Sequence, residues 1–212
     1  MIRFFAVQDS ANAGASFSWG QTVITLLIGL LTGIFVEPIR KRIFRATLSL
    51  GFSGDVNCMR ETPMVVRNPR GEPIGNGRMK VARVLVANRS FWTARDCQGF
   101  LLQIDKKVQQ GTFETVFHDR LPLKWAYLSA QPITIPSKTS SYCDVAGASD
   151  WNKTLMPHTE PRTAIFDDIF KDQAIYRFHL LFTAEDAKPV TMILNIEWKG
   201  DWNFADAWVD AI

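Results

Sequence analysis

YRFHLLFTAEDAKPVTMILNIEW, residues 176–198, is the stretch whose pattern decides the fold. In its first run Tyr176, Phe178, Leu180 and Phe182 put a large apolar side chain at every second position, while Arg177, His179 and Thr183 take intervening ones. Successive side chains of a strand point to opposite faces, so this period of two describes a strand with one buried face. Met192, Leu194, Ile196 and Trp198 repeat the pattern against Thr191, Asn195, Glu197 and Lys199, and Ala-Glu-Asp-Ala-Lys-Pro between the runs supplies a turn. The stretch predicts an antiparallel hairpin.

Working outward, further strands are expected at 47–52, 80–88, 99–104, 113–117, 125–129, 133–135 and 141–145. Between them lie segments rich in turn formers, notably 67–77 and 147–161. Helical spacing is weak. Residues 163–171 set Ile165, Phe166, Ile169 and Phe170 against Asp167 and Asp168, and the last ten residues set Phe204, Ala205, Trp208, Val209 and Ile212 against Asp206 and Asp210. Many short strands with few helices favour a mainly β antiparallel sandwich over residues 46–200. The chain of 212 residues, 47% hydrophobic and 21% charged with 7 Trp and 15 Phe, holds ample apolar material for such a core and is not a disordered or collagen-like sequence.

VARVLVANRSFWTARDCQGFLLQI, residues 81–104, resembles the B and C strands of immunoglobulin-like or fibronectin-like modules of prokaryotic proteins, where a strand ending in Asn precedes a short loop, an Ala-x-x-Cys segment and another strand. The 176–198 hairpin is similar to the closing strands of such modules. The resemblance implies an immunoglobulin-like sandwich. The antibody pattern itself is absent, since the 176 strand has no Cys and Trp92 precedes Cys97. No functional residue is carried over.

GQTVITLLIGLLTGIFV, residues 20–36, contains no ionisable side chain, and Phe17 and Trp19 extend it on the N-terminal side. At 1.5 Å per residue these seventeen residues rise about 26 Å, the short end of a bilayer span. A transmembrane α-helix is expected at 17–36, after a short tail of 1–16, with Trp19 as an interfacial anchor. A cleaved signal peptide fits poorly, because Arg3 is matched by Asp9 and no small-x-small site follows Val36. Arg40, Lys41, Arg42 and Arg45 follow in a basic linker, 37–45, that begins at Glu37-Pro38. By the positive-inside bias they put the N-terminus outside and the sandwich in the cytoplasm, and they attract anionic lipid. Thr25, Gly29 and Gly33 recur every four residues on one helical face, where small side chains would let a second helix approach. Self-association, or pairing with another membrane protein, is therefore expected through that face.

Cys58, Cys97 and Cys143 are an odd set without a C-x-x-C pair, which leans towards a reducing compartment and gives no zinc pattern. Asn88-Arg89-Ser90 and Asn152-Lys153-Thr154 match glycosylation acceptors but carry no weight at chance frequency. His118, His158 and His179 are the candidate bases for a hydrolytic triad, yet none has a recognisable setting and no G-x-S-x-G occurs. Asp167, Asp168 and Asp172 are not spaced as a calcium loop, and residues 71–77, with three glycines and no Lys-Ser/Thr, read as a flexible turn. No cofactor is expected.

Residues 1–100 hold 13 Lys/Arg against 6 Asp/Glu, and residues 101–212 hold 11 against 15. Beyond the membrane flank, Arg67, Arg70, Arg78, Lys80 and Arg83 form a second basic group, which without interleaved aromatics does not suggest nucleic acid. DWNFADAWVDAI, residues 201–212, combines Trp202, Phe204 and Trp208 with three aspartates. It can dock in a partner's groove or fold back over the sandwich. The sequence thus points to a non-catalytic single-pass membrane protein whose sandwich binds protein, as an accessory or scaffolding subunit. The alternative is an anchored exterior adhesion or ligand-binding module, which a Cys97–Cys143 disulfide would favour; a membrane-tethered hydrolase is a distant third.

Overall fold

The hairpin read from residues 176–198 is the centre of the second of two β-sheets. A computed structural model describes residues 23–25, 27 and 29, and residues 45–210 apart from 69, 109, 110, 152 and 203–205. The chain divides into two units, the second of which begins at Phe44. Its elements are β1 (Leu48–Gly51), β2 (Met59–Arg67), β3 (Pro73–Asn88), β4 (Ala94–Lys107), β5 (Phe113–Pro122), β6 (Lys124–Trp125), β7 (Ile133–Ile135), β8 (Ser140–Ser149), β9 (Leu155–Pro157), α1 (Ile165–Ile169), β10 (Ala174–Thr183), β11 (Val190–Trp198) and β12 (Ala207–Val209).

One sheet runs β1-β3-β8-β6, with β2 on β3 and β9 on β8; the other runs β12-β11-β10-β4-β5, with β7 on β4. Every ladder is antiparallel. The mainly β, two-sheet architecture read from the sequence is present. Phe178 lies opposite Leu194 and Tyr176 opposite Ile196, so the alternation of both runs falls on one face. That face meets Val84, Val86, Cys143 and Val145 of the other sheet in a single core. Trp125 and Phe182 bring their ring centroids within 6.4 Å across it. Fully burying side chains of this size stabilises the fold by about 1.5–3 kcal/mol each, which is why the period-two pattern governs the register.

Three local expectations are corrected. Residues 71–77 are not a flexible turn: Gly77 lies opposite Met64 and Gly75 opposite Val66 in the β2–β3 ribbon, and the turn is confined to the residues around Asn68 and Gly71. Glycine serves there as close-approach space, since a Cβ on Gly77 would come within 2.7 Å of Asp150 Oδ1 and one on Gly75 within 3.3 Å of Trp151. Residues 125–129 are strand only at Trp125; Tyr127 takes a positive φ of 65° and the Leu128 amide donates to the Trp125 carbonyl, closing a turn. Within the C-terminal segment, Ala207–Val209 form β12 on the edge of β11, where helical spacing was expected.

The expected helix of 163–171 is the short α1, whose Phe166 and neighbouring Phe170 are buried. Phe170 stacks on Phe178 at 6.0 Å. Tyr176, at the start of β10, reaches back so that its hydroxyl lies 2.7 Å from the Ile169 carbonyl and 2.9 Å from that of Asp172. Trp198 Nε1 donates to the Phe170 carbonyl at 3.0 Å. Two buried side chains thereby satisfy carbonyls that the end of a one-turn helix leaves without partners. Burial also pushes the Tyr176 phenol up to about 12.

The expected tail of 1–16, the span of 17–36 and the linker of 37–45 lie almost entirely outside the described residues. Within them Val23, Ile24, Thr25, Leu27 and Gly29 are helical and exposed, and a Cβ added to Gly29 would meet nothing within 4 Å. Among the described residues no helix is long and apolar enough to cross a membrane.

Candidate functional site

The outward face of the β4–β5–β10–β11 sheet carries a polar network. Apolar residues of β10 turn inward, which leaves Arg177 and His179 on the other side, and β4 contributes Gln103 and Asp105 to that same side. His179 Nε2 lies 2.7 Å from Asp105 Oδ2. Gln103 Nε2 and Thr115 Oγ1 donate to Asp105 Oδ1 at 2.7 and 2.9 Å. Burial would raise the Asp105 carboxyl, but hydrogen bonds from Gln103, His179 and Thr115 outweigh it and hold the group below the ordinary carboxylate range. The charge is thus fixed as an anion at neutral pH.

Next to it, Arg177 lies directly opposite Asn195 and donates to its side-chain oxygen at 3.2 Å. Asp210 closes the set, accepting from Arg177 at 3.1 Å and from Asn195 Nδ2 at 2.9 Å. The guanidinium also lies 3.7 Å from the centroid of Phe113. Asn195 is buried although it points away from the core, because β12 and these partners cover it.

The other sheet carries a different arrangement on its outer face. Arg83 and Asp144 are cross-strand partners just beyond a bulge in β3–β8 pairing, and Arg83 Nε lies 2.8 Å from Asp144 Oδ1. Their side chains are only 4% and 10% exposed. The contact is close but poorly aligned, so neither atom makes a well-formed hydrogen bond. His158 Nδ1 stands 3.7 Å from Asp144 Oδ2, and Tyr127 covers Arg83, its ring centroid 5.0 Å away. A hydrogen bond from Arg83 lowers the Tyr127 phenol from its ordinary range. Beside Tyr127, Arg60 borders an open cavity of about 600 Å³ lined also by residues 54–57, Met59, Glu61 and Lys80.

The histidines therefore stay apart: His179 pairs with Asp105, His158 approaches Asp144, and His118 is exposed on β5. The cysteines are free and buried. Cys97 Sγ contacts the Ala94 carbonyl and Cys143 Sγ that of Lys124. Burial pushes the Cys97 thiol up to about 11 and the Cys143 thiol well above the ordinary value, so both are held as unreactive thiols. Among the described residues no group of three His, Cys, Asp or Glu is placed to hold a metal ion.

Of the residues singled out in the sequence, Thr25 and Gly29 lie on described helical positions and Arg45 is exposed at the start of the second unit. Gly33, Arg40, Lys41, Arg42 and Phe204 lie outside the described residues. Trp202 is half-buried against the core, with Arg78 4.6 Å from its ring centroid, and Trp208 is exposed on β12 opposite Asn195. Asp105 was not named from the sequence, and Asn195 and Asp210 were read there only as polar residues opposite an apolar face. The available signal was the polar outward position of Gln103 and Asp105 beside an apolar strand face. A scan of protein-family models and a search of curated proteins find no match for this chain.

Proposed function

We propose that the chain is a non-catalytic, single-pass membrane protein whose immunoglobulin-like sandwich binds protein. Residues 17–36 cross the bilayer with residues 1–16 outside and the sandwich in the cytoplasm, and Thr25, Gly29 and Gly33 form the face on which a second copy packs. The bilayer is the first partner and a protein beneath it the second; nucleic acid is not a partner. The immunoglobulin-like assignment is supported by strand order, with β1-β3-β8 standing as A-B-E and β11-β10-β4-β5 as G-F-C-C′.

The observation that carries this assignment is Tyr176. A tyrosine near the start of strand F whose hydroxyl returns to backbone a few residues upstream is a hallmark of these sandwiches, and Tyr176 does this at the Ile169 and Asp172 carbonyls. Phe178 takes the position two residues on, where antibody domains keep a cysteine. The step from architecture to protein binding rests on analogy of fold. It is supported by the outward β4–β5–β10–β11 face, where Arg177, Asn195, Asp210 and the Asp105–His179 pair are held in fixed positions before any partner arrives. Fixed side chains lose less entropy on binding.

Alkaline carbonate extraction of the full chain tests the anchor, and retention in the membrane pellet is expected. Release into the supernatant contradicts it. For sidedness, an added Thr112→Cys is the appropriate target for an impermeant maleimide, because all three native thiols are buried. Labelling only after permeabilisation is expected. Labelling of intact cells would transfer support to an exterior adhesion module. Gly29→Ile with Gly33→Ile is expected to abolish dimer crosslinking, and undiminished crosslinking contradicts the packing face.

A further inference from the structure

At one end of the sandwich four chain segments meet. β1 begins there, with Leu48 opposite Asn88 at the close of β3. The Ala46 amide donates to the Asp186 carbonyl of the β10–β11 turn, the Arg89 amide to Thr47, and the Glu185 amide to Arg95. Lys138, from the β7–β8 turn, donates to the Arg89 carbonyl at 2.6 Å. The β3–β4 loop crosses this end and turns Phe91 and Trp92 outward, 80% and 45% exposed. Lys138 Nζ lies 4.3 Å from the Phe91 centroid. Arg45, Arg89, Arg95 and Lys188 are also exposed here, against Asp96, Glu185 and the half-buried Asp186.

Aromatic rings flanked by cations are the chemistry of the membrane interface, where rings sit at headgroup depth and Lys/Arg face anionic lipid. Reach favours this end over the opposite one. Arg45 lies nine residues beyond Val36, the last of the apolar stretch. Fully extended they span at most about 32 Å. A second exposed apolar group among the described residues, Trp151 beside Ile74 and Val65, sits by Gly75 near the beginning of β3. Along the strand that is about 40 Å from Asn88.

We propose that this end of the sandwich rests on an anionic bilayer, with Phe91 and Trp92 in the interfacial layer and Arg89, Lys138 and Lys188 towards the headgroups. The inference rests on the membrane reading above and adds an orientation to it: the β2–β3 turn and Thr112 point away from the lipid. The outward β4–β5–β10–β11 face then stands roughly along the membrane normal, open to a neighbour from the side.

The test uses the full chain in phosphatidylcholine vesicles containing phosphatidylserine, with an environment-sensitive fluorophore on Thr93→Cys or, at the opposite end, on Thr112→Cys. A blue-shifted Thr93 signal that headgroup-region lipid quenchers reach and aqueous iodide does not, beside a Thr112 signal with the reverse behaviour, is the expected result. Phe91→Ser with Trp92→Ser should abolish the difference, and vesicles lacking phosphatidylserine should weaken it. Equal access of iodide to both sites in carbonate-resistant chain overturns the docking while leaving the anchor intact. A Thr93 probe shielded from both quenchers means protein covers this end and also overturns it. Chain that carbonate releases overturns anchor and docking together.

Discussion

The two outer sheet faces both present a charged pair, and they differ in how far water reaches it. Arg83 and Asp144 are sealed, with side chains 4% and 10% exposed beneath Tyr127 and His158, whereas His179 keeps 29% exposure over an equally covered Asp105. A sealed pair gives up nearly all of its hydration, and this one is held by the close approach of opposite charges at 2.8 Å and not by an aligned hydrogen bond. The half-open pair keeps water on one partner and distributes the carboxylate's hydrogen bonds over three donors. The first is a structural clamp on the β3–β8 bulge. The second is the surface proposed above to meet a partner.

The largest expected effect comes from breaking the clamp. Asp144→Ala strands Arg83 as an uncompensated buried charge and should cost about 3–5 kcal/mol in chemical denaturation. Arg83→Met combined with Asp144→Leu should recover most of that loss, because the charge is gone from both sides. Equal destabilisation by the single and double replacements would contradict the clamp.

Tyr176→Phe follows. It keeps the ring, whose edge packs on Phe170 at 4.7 Å, and removes only the hydroxyl, so a loss of about 1–3 kcal/mol is expected from the abandoned carbonyls. The sign of the linked pH effect is definite: the folded phenol is raised to about 12, so its contribution is complete below about pH 10 and declines as pH rises from there. In Tyr176→Phe that alkaline decline should be smaller.

Asp105→Asn sharpens the other side of the comparison. It removes the charge that Gln103, Thr115 and His179 support, and about 1–2 kcal/mol is expected at neutral pH. The native carboxyl is lowered, so its stabilisation is complete above about pH 4 and is lost as pH falls further through the folded value. The variant's stability should therefore fall less steeply than the wild type's below pH 4. An identical acid limb in both proteins would show that the carboxylate does not carry it. At the small end, Arg162→Ala breaks an ion pair in which both side chains are more than half exposed, and no measurable shift in Tm is expected.

The central hairpin was legible because burial on one face writes itself directly as a period of two. β2 was not, since Met59–Arg67 includes Arg60, Glu61 and Pro63 and pairs on one side only, a ribbon with little burial to impose alternation. The first half of β3 was hidden by Pro73, Gly75 and Gly77, which read as turn formers; as strand glycines they make room for Trp151 and Asp150. β12 was ambiguous because three residues cannot separate a period of two from one of 3.6. The polar networks escaped for a different reason. The register of β4 against β10 shifts between His179 and Leu180, and β3 against β8 shifts beside Arg83, so side chains that meet are not those a regular count would pair. His179 was visible as an outward residue; its partner was a property of the bulge.

The most direct measurement places one photocrosslinking amino acid on each face of the full chain in the cells that express it. Benzoylphenylalanine at Trp208 samples the face of Asn195 and Arg177, and at Val56, 80% exposed, it samples the rim of the cavity on the other sheet. A discrete adduct from position 208, lost when Arg177→Glu is added and absent from position 56, is the predicted result. The same adducts from both positions, or a discrete adduct from position 56 alone, would contradict the assignment of contact to the half-open face.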